Sequence, residues 1–117
     1  MADQIEIVLP QTIINEQSTL VATAYFRDRA AQSASIPTTI DYRLECLSTK
    51  REITDWTTVS SPAASNTISL SLDQNKILDD GNVWETKQLI VKTDSGLSTQ
   101  VVKAITYKVR NLQGITI

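Results

Sequence analysis

The sequence predicts an all-β sandwich of about seven strands, built as a single domain over residues 1–117, and three observations carry that expectation. Thirteen Ile, 8 Val and 15 Thr, with 11 Ser, favour extended backbone, because branching at Cβ restricts side-chain rotation in a helix and packs well on a pleated surface. Apolar residues recur at every second position in run after run, the period of a strand with one dry face. Turn-forming residues separate these runs, and no helix of three turns is convincing.

Ile5, Ile7 and Leu9 alternate along the first strand, which stops at Pro10, a residue with no N–H for a ladder; it reads as an edge strand. After a turn at Asn15-Glu16-Gln17, Ser18 to Phe26 puts Leu20, Ala22, Ala24 and Phe26 on one face and Thr19, Val21, Thr23 and Tyr25 on the other. Arg27 to Pro37 is rich in small residues, lacks alternation and reads as a loop. Thr39 to Cys46 alternates most regularly, with Ile40, Tyr42, Leu44 and Cys46 set against Thr39, Asp41, Arg43 and Glu45. Ser48-Thr49-Lys50 turns the chain into Arg51 to Val59, and Ser60 to Ser65 leads to Thr67 to Asp73, with Ile68, Leu70 and Leu72 inward. Leu72 to Val83 has room for one helical turn, and Asp79-Asp80-Gly81-Asn82 is a turn whose glycine is free to take positive φ. A strand from Trp84 to Lys92 with Leu89 and Val91 inward, a reversal at Asp94-Ser95-Gly96, and a long strand from Thr99 to Arg110 complete the set.

Composition removes several chemistries. Histidine is absent and Cys46 stands alone, which excludes histidine acid–base catalysis, zinc sites of His or paired Cys, and an internal disulfide. Without His a serine hydrolase needs a lysine base, and no Ser-x-x-Lys in a helical context supplies one. Cys46 lies at the apolar phase of its strand and reads as a small buried hydrophobe. No catalytic residue and no cofactor are therefore expected.

A net charge of -2 opposes a dedicated nucleic-acid binder. Residues 85–110 nonetheless hold Lys87, Lys92, Lys103, Lys108 and Arg110 against Glu85 and Asp94, a local +3 that leaves -5 elsewhere. This asymmetry reads either as solvated charge on strand faces or as opposite-signed contact surfaces. No apolar run reaches the length of a membrane span, and Met1-Ala2-Asp3-Gln4 lacks the features of a secretory leader, so the chain is expected to stay in the cytoplasm where it is made.

Three groups are candidates for binding. Asp73, Asp79, Asp80 and Asn82 carry oxygens of the kind calcium takes, but their spacing matches no loop motif and they read as turn formers. Trp56, Trp84, Tyr25, Tyr42 and Tyr107 would stack on sugars if they shared an exposed face, and are otherwise core. Leu112, Ile115 and Ile117 make the last residues apolar, either completing an edge strand or docking on a neighbouring subunit.

Ile40-Asp41-Tyr42-Arg43-Leu44, Asp55-Trp56-Thr57-Thr58-Val59 and Leu89-Ile90-Val91-Lys92-Thr93-Asp94-Ser95-Gly96-Leu97-Ser98 resemble, in that order, the C strand, the C′ region and the F–G hairpin of fibronectin-III or bacterial immunoglobulin-like domains. The chain departs from that pattern where Tyr25-Phe26 stands in place of the usual tryptophan of strand B, and in having no cysteine pair, which leaves the topology open. From Ile5-Glu6-Ile7 through Thr54-Asp55-Trp56-Thr57 to Val109-Arg110-Asn111-Leu112-Gln113-Gly114-Ile115, the whole chain also resembles small immunoglobulin-like structural proteins of tailed bacteriophages, encoded among head and neck genes. That resemblance implies a virion accessory protein that decorates the capsid or attaches at the neck. Its partners would be other virion proteins or further copies of itself, with neither nucleic acid nor membrane. The alternative is a module that binds a carbohydrate or a host surface.

Overall fold

Alternation in the sequence becomes alternation in burial along most of the strands, most regularly in those that line the core. In the computed structural model, which describes residues 2–112, the strands are β1 Gln4–Val8, β2 Ile13–Asn15, β3 Leu20–Asp28, β4 Ser33–Ala34, β5 Ile40–Cys46, β6 Arg51–Thr58, β7 Ser65–Leu70, β8 Trp84–Thr93 and β9 Val101–Arg110. There is no helix among the described residues.

The strands form two sheets. One is centred on β3, with β1 antiparallel on one edge and β7, then the short β4, on the other. The second runs β2-β9-β8-β5-β6 and is antiparallel throughout except that β2 lies parallel to β9. Pro10 ends β1, and the chain crosses from the first sheet to the second, where Thr12 accepts the Lys108 N–H at 2.8 Å and β2 begins. The inner faces meet over Ala22, Ala24 and Phe26 from β3, Ile40 and Leu44 from β5, Leu89 and Val91 from β8, and Val109 from β9, all at 0 % exposure. Burying each large side chain of this kind contributes about 1.5–3 kcal/mol.

Seven of the nine strands match the expected ones, with end shifts of a few residues. The two added strands are the three-residue β2 and the two-residue β4. β4 and the continuation of β3 to Asp28 both fall inside the stretch expected to be loop. Leu72, expected inward, is 52 % exposed, because β7 ends at Leu70. There the Ser71 N–H donates to Gln74 Oε1 at 2.8 Å and the Gln74 N–H to Ser71 Oγ at 3.2 Å. This reciprocal capping pair, closed by Asn75 N–H to Ser71 C=O at 3.2 Å, makes one helical turn of the Ser71 to Asn75 segment. Tyr42 is half-buried rather than fully inside. Gly81 is not at positive φ; among the described residues that conformation falls instead to Gln17, Gln32, Lys50 in the β5–β6 turn, and Asp94 and Gly96 in the β8–β9 turn. Asp94 holds its turn by accepting the Thr38 N–H and the Thr99 hydroxyl, each at 2.8 Å.

Candidate protein interface

Strand parity decides which polar groups are available to a partner. On β8 the inward positions are Glu85, Lys87, Leu89, Val91 and Thr93, so two charged residues enter the core at the end of the sandwich closed by residues 71–83. Glu85 and Lys87 are both fully buried and paired at 3.1 Å. The Glu85 carboxylate also accepts the N–H groups of Leu78 at 2.7 Å and Asp79 at 2.9 Å, the Asn82 amide at 3.1 Å and the Cys46 thiol at 3.7 Å. Lys87 Nζ donates further to the Lys76 carbonyl at 2.8 Å. Burial acts to raise the Glu85 pKa, but the hydrogen bonds from Leu78, Asp79, Asn82 and Lys87 outweigh it and hold the carboxyl below its ordinary value. Beside Lys87, Tyr107 donates to Asn75 Oδ1 at 2.6 Å, and burial, with the Cys46 sulfur nearby, pushes its phenol pKa up. Asn75 passes the connection on, donating Nδ2 to the Ser18 carbonyl at 2.8 Å.

The loop over residues 71–83 is thus held in place by side chains of β8 and β9, with Thr54 of β6 accepting the Gln74 amide at 2.7 Å, and the reactive-type groups of this region are engaged inside it. Glu85 and Lys87 do not contribute to a solvated charge patch as the charge count alone suggested. The signal for this was parity: counting back from Leu89 and Val91 places Lys87 and Glu85 on the same dry face.

The candidate calcium ligands do not converge. Asp79 accepts the Gly81 N–H at 3.0 Å, Asp73 pairs with Lys76 at 2.6 Å, and Asn82 turns its amide to Glu85. Among the described residues no group of three or more acidic or cysteine side chains could hold a metal ion. Cys46 is buried, as its phase indicated. Leu112 is 42 % exposed, with its N–H donated to Glu16 Oε1 at 3.2 Å; Ile115 and Ile117 lie outside the described residues. Val83 and Trp84 are exposed close by, since the Asn111 N–H donates to the Val83 carbonyl and Trp84 pairs with Arg110.

The aromatic residues separate rather than cluster. Tyr107 is in the core and Tyr25 is on the outer face of the β3 sheet, beside an open depression of about 530 Å³ lined by Glu6, Val8 and Arg27. Trp56 and Trp84 are both on the outer face of the five-stranded sheet, each beneath a cation: Lys92 Nζ is 4.0 Å from the Trp56 ring centre and the Arg110 guanidinium 5.7 Å from that of Trp84. Eight residues of β8 separate Trp84 from Lys92, on the order of 26 Å of strand, so the two indoles form no joint platform.

The outer face of this sheet is divided by charge. Its β8–β9 half presents Lys92, Lys108 and Arg110. Its β5–β6 half presents Asp41, Glu45 and Glu52 around Arg43, which pairs with Glu52 at 3.2 Å and Glu45 at 3.7 Å. No helix of the described residues is long and apolar enough to cross a membrane. Comparison of the chain with protein-family models, curated proteins and solved structures finds no match in any of the three.

Proposed function

We propose that this chain is a non-enzymatic structural protein of a tailed-phage particle, an immunoglobulin-like module that decorates or reinforces the capsid, or sits at the neck, through protein–protein contacts. The strand order supports the immunoglobulin-like part. β1, β3 and β7 correspond to strands A, B and E of one sheet, and β9, β8, β5 and β6 to G, F, C and C′ of the other, with β2 as a first strand that has switched sheets to run parallel to the last.

The observation that carries the functional part is the apolar surface at one end of the sandwich. Val83 at 50 %, Trp84 at 42 % and Leu112 at 42 % exposure lie together at that end. Exposed apolar groups gathered in this way favour burial against another protein. Specific interfaces bury about 1,200–2,000 Å² in total, which a sandwich of this size supplies from part of its surface, and repetition over a symmetric shell multiplies modest contacts. The engagement of Glu85, Lys87, Cys46 and Tyr107 inside the fold supports a role without catalysis. The separation of Trp56 from Trp84 removes support from the carbohydrate alternative.

The test is incorporation. A chain lacking residues 112–117 is expected to stay folded by circular dichroism and to enter purified particles at about a tenth of the normal level or less, the effect of roughly 1.4 kcal/mol of lost contact. Particles that contain none of the full-length protein would overturn the proposal.

A further inference from the structure

We infer that the outer face of the five-stranded sheet is a self-complementary interface, on which a second copy of this chain sits face to face about a twofold axis running along the strands between β8 and β5. The inference goes beyond attachment to a particle and holds independently of it.

Charge is unevenly arranged on this face. The β8–β9 half of the face carries Lys92, Lys108 and Arg110 with no acidic residue, because Glu85, the acid of β8, points into the core. Asp41, Glu45 and Glu52 in the β5–β6 half outnumber the single Arg43. With their strands aligned, two such faces meet about an in-plane twofold axis in two ways. An axis across the strands lays β9 on β9 and sets cation against cation. An axis along the strands lays β9 on the second copy's β6 and β8 on its β5, sets each half against its opposite, and preserves height along the strands. Charge therefore selects the second.

The register then pairs the residues. Lys92 is level with Asp41 in the sheet and so meets Asp41 of the second copy. Lys108, level with Thr86, lies two residues, about 7 Å, below the level of Gln88 that Glu45 and Glu52 of that copy share, a distance its side chain spans, and Arg110, two residues further down, adds positive charge at the same end. At the upper end Val102, 52 % exposed, comes over Thr58 and Trp56 of the second copy. The four strands that overlap, β9, β8, β5 and β6, at about 4.8 Å spacing and eight residues at about 3.3 Å give roughly 500 Å² per copy, about 1,000 Å² in total, the size of a weak, salt-sensitive association.

Sedimentation equilibrium on the full chain tests this. At about 0.05 M salt the expected mass is twice the 12.9 kDa of the chain, and the dissociation constant rises at least about tenfold by about 0.5 M salt as charge is screened. Trp56 and Trp84 emission should shift to shorter wavelength in the low-salt state. Lys108→Glu with Arg110→Glu, and separately Glu45→Lys with Glu52→Lys, should each give monomers, with circular dichroism and melting used to establish that the variants fold. An equal mixture of the two should restore the dimer, since every contact between them again joins opposite charges. A wild-type chain that stays monomeric at about 200 µM in low salt overturns the inference. So does a dimer that survives both salt and the charge reversals, or a mixture of folded variants that remains monomeric. A monomeric chain found in phage particles would refute this interface and leave the particle role standing.

Discussion

Replacing Glu85 with glutamine tests whether the buried polar cluster holds the end of the sandwich. The amide is nearly isosteric, but one of its two polar atoms becomes a donor. Of the Leu78 and Asp79 N–H groups, which now meet Oε1 and Oε2 at 2.7 and 2.9 Å, one would face an N–H instead of an acceptor. Lys87, at 0 % exposure, would keep the Lys76 carbonyl and lose its counter-ion. Removing one partner of a buried pair costs about 3–5 kcal/mol, because the other charge is left in a medium that solvates it poorly. At about 4 °C per kcal/mol for a domain of this size, the melting temperature should fall by about 12–20 °C. Adding Lys87→Met removes the stranded charge, so the double variant should lose less than the two single variants together, with a coupling of about 1.5 kcal/mol or more. Urea unfolding followed by tryptophan fluorescence and circular dichroism supplies all four corners of the cycle. A loss under about 1 kcal/mol for Glu85→Gln, or a coupling within about 0.5 kcal/mol of zero, would refute the reasoning.

Tyr107→Phe should cost about 1–3 kcal/mol by leaving Asn75 Oδ1 without its donor, and hydrogen exchange should show faster exchange at Leu78 and Asp79 before the core strands are affected. The Glu85 pKa is lowered on folding, so its contribution is complete above the ordinary value of 4.5 and is lost as pH falls through the folded value; stability measured against pH should show a shallower acid limb in Glu85→Gln. Tyr107 behaves oppositely: its pKa is raised, the unfolded phenol ionises first, and stability falls as pH rises past 10.0, a slope that Tyr107→Phe should reduce. Leu44→Ala should cost about 2–5 kcal/mol in urea unfolding, whereas Leu72→Ala, at an exposed site, should stay within about 0.5 kcal/mol.

Alternation with period two is a local property, and the residues that show it most regularly were placed from sequence alone. Ala22, Ala24, Ile40, Leu44, Leu89 and Val91 all face the core, and the burial of Cys46 follows from the same phase. The turns at Lys50, Asp94 and Gly96 were legible for the same reason, since a reversal is set by a few adjacent residues. Leu72 continues the alternation of Ile68 and Leu70 yet leaves the sheet, because Ser71 and Gln74 offer each other's backbone N–H an acceptor that competes with the ladder. Ile13 to Asn15 is too short to show a period, and its partner Lys108 to Arg110 lies far along the chain, so only the closed sandwich reveals that pairing. Glu85 and Lys87 have the parity of core residues and the charge of surface ones. Which prevails depends on whether donors and acceptors are waiting inside, and those come from Leu78, Asp79, Asn82 and Lys76, which meet the pair only after the loop has folded across the end of the sheet. The sequence determines by itself what neighbouring residues settle between them: strand, turn and dry face. A charge is acceptable in the core only when its desolvation is offset by partners brought from elsewhere in the chain, and that is decided by the tertiary structure.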